Sequence, residues 1–218
     1  MQSSPGSYWQ IAAHRLRQYS LNSPCTAATG RHLSITCLKL AALRAARLLG
    51  NDGVIAHHTA TLPGVAAAAN NRKAAARLVH FKQRRGPFLL LADHAATAAR
   101  LVRYFSPALR RQMRSVWPGP VTLVFPARPG LPACCYHKGL VALRVDGSLQ
   151  TRQLARTCGG LLLSSSLNRR GKTARQPDIS AHLRLHRYLA GRIQGAPSAG
   201  KASSIVRIRG NHSTVIRR

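Results

Sequence analysis

Glutamate is absent from this 218-residue chain, and its acids are limited to Asp52, Asp93, Asp146 and Asp178, set against 34 lysines and arginines for a net charge of +30. That shortage excludes mechanisms built on clustered carboxylates, such as paired glycosidase acids or acid-rich two-metal sites. Aromatic residues make up only 5% of the chain, which disfavours broad base-stacking on single strands and leaves structured or double-stranded RNA as the nucleic acid such a surface would suit. The five cysteines (25, 37, 134, 135 and 158) are odd in number and lack CxxC spacing. Neither a zinc site nor a disulfide framework is indicated, and reduced thiols in a cytosol are the expectation. No apolar stretch approaches the roughly 18 residues needed to span a bilayer. Arg15 and Arg17 are followed by no hydrophobic region, so a secretory signal is not indicated and the expected location is cytoplasmic.

What is present is a foldable chain with dispersed positive charge. Apolar residues make up 45% of it, enough for a sizeable core. Residues 1–36 hold only Arg15, Arg17 and Arg31, and no run of Lys/Arg exceeds two. Charge is therefore spread over a folded surface, at a cost in self-repulsion that bound phosphates would relieve. Such a chain should work through cations, hydroxyls, amides and backbone groups on polyanionic ligands.

Residues 1–36, rich in Ser, Pro, Gly and Thr, read as a partly disordered extension, and 37–218 as the folded domain. Leu38, Ala41, Ala42, Ala45, Leu48 and Leu49 share one helical stripe that Gly50 can end. A strand is expected at 53–57. Asn70 or Asn71 should cap a helix over 72–81. Strands are expected at 88–92, 121–125, 140–145, 160–165 and 203–208, and helices near 93–104, 107–115, 149–157 and 179–190. Strands interleaved with helices imply an α/β domain.

Two segments carry candidate chemistry. Lys82, Arg84 and Arg85 beside Gly86 could grip phosphate, Lys as a mobile point charge and Arg as a planar fork; a solvated charge cluster is the ordinary alternative. Leu161–Leu163 ends abruptly in Ser164-Ser165-Ser166-Leu167-Asn168, and in open α/β sheets the ligand crevice lies beyond the carboxyl ends of strands. A polar strand end is the plainer reading there. The P-loop pattern is missing. So is Gly-x-Ser-x-Gly, with no carboxylate evidently placed beside a histidine, so a serine hydrolase triad is unsupported. His57 and His58 are adjacent on a strand and point to opposite faces, which argues against joint metal ligation.

Across roughly residues 37–218, ordered blocks carry a resemblance. Ser115-Val116-Trp117-Pro118-Gly119-Pro120-Val121-Thr122-Leu123-Val124-Phe125-Pro126 resembles the signature segment of the YrdC family, the TsaC-type threonylcarbamoyl-AMP synthases. Val54-Ile55-Ala56-His57-His58-Thr59-Ala60 is similar to its Val-Ile-Ala-Tyr-Pro-Thr-Glu strand, and Lys82-Gln83-Arg84 to its Lys-x-Arg loop. Val141–Val145, Ser164–Asn168, Ser203–Val206 and Val215–Arg217 follow in the family's order. The resemblance implies a YrdC-like (YrdC/RibB-type) α/β single domain, with a twisted mixed sheet, flanking helices and a central basic cavity.

It also implies an enzyme, a nucleotidyltransferase joining L-threonine, bicarbonate and ATP into L-threonylcarbamoyladenylate with release of pyrophosphate, for tRNA threonylcarbamoyladenosine modification. By the same resemblance Lys82, Arg84, Ser166, Asn168 and Arg217 hold ATP, while Thr59, Arg144, Ser164 and Ser203 line the threonine pocket. No side chain is assigned as a catalytic acid or base or as a metal ligand; Mg²⁺ would be held mainly by the ATP phosphates. Implied partners are tRNA or other structured RNA and the tRNA threonylcarbamoyl-transfer machinery, with no membrane. The departures are His58 and Ala60 around Thr59, Pro63 before Gly64, Arg169-Arg170-Gly171 after Asn168, and Arg207 where the family has Asp. They motivate an alternative, a catalytically impaired YrdC-fold protein that binds double-stranded or structured RNA. A ribosome-associated structural protein is a third class, but its usual basic runs and tails are missing.

Overall fold

The computed structural model describes residues 35–168, 185–193 and 195–218. The expected extension over 1–36, save its last two residues, and the first half of the helix expected at 179–190 lie outside these. Five α-helices are described: α1 (Ile35–Gly50), α2 (Arg72–Lys82), α3 (Ala95–Leu101), α4 (Pro107–Val116) and α5 (Leu149–Thr157). Their starts follow local capping chemistry. Asn71 accepts from the Ala74 amide at 3.0 Å, Ser106 from Leu109 at 3.2 Å with Pro107 at the first helical position, and Ser148 from Thr151 at 3.4 Å. The third helix is shorter than the expected 93–104, since His94 caps it without a side-chain bond and Val102 turns to extended backbone.

The strands are β1 (Ile55–His57), β2 (Gly64–Ala68), β3 (Leu89–Ala92), β4 (Val121–Pro126), β5 (Tyr136–His137), β6 (Leu140–Val145), β7 (Leu161–Ser166), β8 (Gly191–Arg192), β9 (Ser204–Arg209) and β10 (His212–Arg217). They form one mixed sheet in the order β10-β9-β4-β6-β3-β7-β2-β1-β8, with β5 paired to β6. Strand β3 runs parallel to β6 and antiparallel to β7, while β9 runs parallel to β4. Among these, β2, β5, β8 and β10 were not anticipated as strands. In β2 the residues are Gly-Val-Ala-Ala-Ala, a composition poor in strand formers; pairing with β1 on one side and β7 on the other overrides that local preference.

The two sheet faces are built differently, and this positions the cavity described below. On one face Val65, Ala67, Leu90, Ala92, Leu123, Phe125, Val141, Leu143, Val145 and Leu163 join the main core with residues of α2, α3 and α4, among them Leu78, Phe81, Ala98, Leu109 and Met113. On the other, Ile55, Ala66, Ala68, Leu91 and Leu162 form a smaller core with Ala45 and Leu49 of α1 and Leu154 and Ala155 of α5. Strand side chains alternate between faces, so Leu162, Ser164 and Ser166 share this second face. The strand is apolar where α1 and α5 cover it and polar beyond them.

Candidate active site

Beyond α1 and α5 the second face opens into a cavity of about 440 Å³. Several strands reach it, mostly through alternate residues: Ser164 and Ser166, with Ser165, from β7, Leu140, Ala142 and Arg144, with Val141, from β6, Thr122 and Val124 from β4, Ile205 and Arg207 from β9. Arg84, Arg144, Arg207 and Arg217 supply its guanidinium groups, and Thr59, Thr61, Thr122, Ser164, Ser165, Ser166 and Ser203 its hydroxyls; among the described residues no carboxylate lies on this wall. The arrangement suits an anionic ligand that needs charge neutralised and several oxygens held, without a protein acid.

Of the nine residues expected to bind ligand, Thr59, Arg84, Arg144, Ser164, Ser166, Ser203 and Arg217 line this one cavity. Lys82 and Asn168 stand behind its wall. The Lys82 side chain is buried at the end of α2, and its Nζ donates to the Ser166 carbonyl at 2.9 Å, to Asn168 Oδ1 at 2.8 Å and to the Asn168 carbonyl. Ser166 Oγ also donates to Asn168 Oδ1. This amine therefore locks the end of β7. Burial, then the nearby positive charge of Arg84, pushes its pKa down to about 8. Gln83 takes left-handed backbone (φ 50°) directly after it and separates the buried Lys82 from the exposed Arg84.

Arg144 is the most enclosed of the four arginines, 2% exposed. Its Nη2 lies 2.7 Å from Asp146 Oδ2, and Nη1 donates to Thr61 Oγ1 at 2.7 Å. Its Nε has no hydrogen-bond partner among the described residues. Burial pulls the guanidinium pKa down and the Asp146 carboxylate opposes that shift. Asp146, fully buried, also accepts from the backbone amides of Ala60 and Ser148, both at 2.9 Å. Thr61 in turn shares a 3.1 Å contact with Thr59 Oγ1, which donates to the Leu62 carbonyl at 2.7 Å. One carboxylate thus aligns Arg144 and fixes the loop that carries Thr59. On the β9–β10 side, Ser203 contacts Thr122 Oγ1 at 3.0 Å, and Arg217 donates to the Ser203 carbonyl through Nε and Nη2 at 3.0 and 2.7 Å.

Sequence reasoning missed Asp146, Thr61 and Arg207. Alternation along β9 from Ser203 would have placed Arg207 on the ligand side; no local signal distinguishes Asp146 from the other three aspartates. One expectation needs correcting: a carboxylate does sit beside a histidine, Asp93 at 2.6 Å from His94 Nδ1. The pair lies off the cavity wall, just before α3, with the Thr97 hydroxyl 3.1 Å from His94 Nδ1. No group of three or more potential metal ligands exists among the described residues.

His57 is buried against the pocket floor, its Nε2 3.5 Å from Ser164 Oγ, and a Cβ on Gly64 would come within 3.0 Å of the same nitrogen. Burial, only partly offset by Asp146, pushes its pKa down to about 4. The unfolded chain then binds a proton below about pH 6.5 while the folded chain refuses it until about pH 4. Stability should fall as pH drops through that window, by up to about 3 kcal/mol from this residue. Urea unfolding of wild type and His57→Asn at pH 7 and pH 4.5 tests this: a loss on acidification that is equal in both assigns it elsewhere.

In sequence and in fold the chain is similar to known proteins. The family model for Sua5, YciO and YrdC, described as telomere recombination, matches residues 47–218. The chain belongs to this family. A threonylcarbamoyl-AMP synthase from Methylobacillus flagellatus is 32% identical over 170 residues, covering 72% of this chain and 89% of that protein. One from Thiobacillus denitrificans is 37% identical over 128 residues, covering 57% and 68%. The family fold extends to solved structures. P. abyssi Sua5 complexed with L-threonine superposes with a TM-score of 0.74 at 19% identity over 86% of this chain, which spans about 55% of the length of that protein. E. coli YciO gives 0.72 at 18% identity, covering 83% of this chain and 89% of that one. These likenesses agree with the expected YrdC-like α/β fold.

Proposed function

We propose that this chain is a threonylcarbamoyl-AMP synthase, converting L-threonine, bicarbonate and ATP into L-threonylcarbamoyladenylate and pyrophosphate. The observation that carries the reading is the gathering of four arginines and seven hydroxyls on one cavity wall, on the scaffold of a family whose curated relatives bear that name. Adenylate formation joins a carboxylate oxygen of N-carboxy-threonine to the α-phosphorus and breaks the bond to pyrophosphate. It needs alignment and charge neutralisation more than a protein base.

In this reading Arg84 and Arg217 take the nucleotide phosphates, with Lys82 holding Ser166 and Asn168 in place against them. Arg144, its Nε still unpaired and its other nitrogens fixed by Asp146 and Thr61, takes the amino-acid carboxylate. Thr59, Ser164 and Ser203 bound the same end. Arg207 adds a cation that the family's usual aspartate would not. The described cavity residues present no set that fits a protein-held metal, so Mg²⁺ would arrive on the phosphates. The adenylate would pass to the machinery that modifies tRNA.

A cytoplasmic setting is supported by free thiols at Cys134, Cys135 and Cys158, with burial pushing Cys135 up to about 12 and Cys158 to about 11. No described helix is long and apolar enough to cross a membrane. The test is pyrophosphate release by the purified chain with ATP and bicarbonate, with and without threonine. Threonine-dependent release is expected; its absence from folded protein would overturn the reading and leave the RNA-binding alternative that the altered residues Ala60 and Pro63 motivate.

A further inference from the structure

On the opposite side of the sheet from the cavity, the segment around α3 and α4 presents arginines and aromatic rings together at the surface. No acid occurs between Asp93 and Asp146. Within that interval Arg100, Arg103, Arg110, Arg111, Arg114 and Arg128 are all exposed. Backbone bonds bring two of them together. Arg103 donates its amide to the Pro126 carbonyl, and Arg128 donates to the carbonyls of Leu101 and Val102. Arg110 and Arg114 lie one turn apart on α4.

Two aromatic rings stand among these cations. Tyr104 is 64% exposed and Phe105 41% exposed, whereas Phe81, Phe88 and Phe125, the other phenylalanines, are fully buried. Arg103 lies over the Tyr104 ring at 5.3 Å and Arg110 over Phe105 at 5.2 Å. Cation contacts hold both rings at the surface in defined places. Keeping rare aromatics in water amid arginines, with no exposed large aliphatic beside them, is costly for a fold and useful for a ligand that offers both flat rings and negative charge.

We propose that Arg103, Tyr104, Phe105 and Arg110, with Arg114 and Arg128 around them, form an RNA-binding surface separate from the substrate cavity. Unpaired bases stack on the two rings and the flanking phosphates pair with the guanidinium groups. Arginine suits both tasks, since its plane stacks and its fork takes phosphate oxygens. An anionic membrane fits less well, because the patch has four arginines to two rings and, among the described residues, lacks an aliphatic face to insert. The choice of RNA over DNA rests on the function proposed above, whose product is destined for an RNA; the location of the surface does not.

The test uses the full chain and a fluorescent RNA hairpin with an unpaired loop, titrated by anisotropy at two salt concentrations. Tyr104→Ala/Phe105→Ala should weaken binding at least about fivefold. Arg103→Gln/Arg110→Gln should weaken it about tenfold or more and flatten the salt dependence by about 0.7 to 0.9 of a logarithmic unit per lost phosphate contact. A charge-matched control on α1, Arg44→Gln/Arg47→Gln, should change affinity less than about threefold. Equal losses in patch and control variants would overturn the site in favour of diffuse attraction, as would an aromatic variant that binds like wild type. DNA of the same sequence bound equally well would overturn the assignment to RNA. Capture by anionic vesicles, lost in the aromatic variant while RNA binding persists, would replace RNA by a membrane. Threonine-dependent pyrophosphate release, measured on the same proteins, should be unchanged in all variants. Its absence in wild type would sink the enzyme reading without touching the mapped surface.

Discussion

Asp146→Ala is expected to destabilise the domain by about 3–5 kcal/mol, the usual cost of stripping one partner from a buried ion pair. The mutation leaves the enclosed Arg144 guanidinium without its counter-charge 2.7 Å away and frees the amides of Ala60 and Ser148 at once. Asp146→Asn, which keeps an acceptor and the volume, should cost less. Replacing Arg144 and Asp146 together with apolar residues should cost less than Asp146→Ala alone, because no lone charge stays buried. Urea unfolding at pH 7 measures all three. In Asp146→Asn the KM for threonine should rise more than kcat falls, since the residue aligns Arg144 without touching the reacting phosphorus. A stability within 1 kcal/mol of wild type for Asp146→Ala would contradict this account of the network.

Lys82→Ala and Asn168→Ala should each lower threonine-dependent pyrophosphate release at least tenfold, a loss of the size expected for misplacing groups that must meet phosphate. In the structure both act on the same strand end, since the Lys82 amine holds Ser166 and Asn168 through three bonds. Protonation supplies the donors. With burial holding this pKa near 8, the amine loses its third proton as pH rises through that value, so the rate should decline above pH 8 rather than above 10. Lys82→Arg, which stays charged, should move that limb upward even if its rate is lower. Near-normal activity in both alanine variants would refute the assignment of the site, and a flat profile from pH 7 to 9.5 would refute the role given to the charge.

Much of the local architecture could be read from residue order, because caps and periodicities act over a few positions. Asn71, Ser106 with Pro107, and Ser148 each begin a helix where their side chains could satisfy the first free amides. The passage from Leu161–Leu163 to Ser164–Ser166 announced a strand leaving the core for a polar site, and both halves are found where expected. By contrast, β2 was illegible: its alanines have little strand preference of their own and take the conformation only between β1 and β7. The β8 and β5 strands are two residues each and carry no periodicity to detect.

The amino-acid sequence by itself determined the chemistry open to this protein. A chain with 34 cations and four acids must neutralise and position anions rather than trade protons between carboxylates, whatever its fold. Tertiary structure decided which charges share one cavity. Arg84, Arg144, Arg207 and Arg217 meet around one cavity because β10, β9, β4, β6, β3 and β7 lie side by side in an order unrelated to the chain. It also turned Asp146 from one of four scattered acids into the counter-charge of Arg144, and set the ring-and-arginine surface behind the sheet. Pairing across 80 or more residues leaves no trace in local periodicity: Thr122 reaches Ser203 and Lys82 reaches Asn168 only once the sheet has closed.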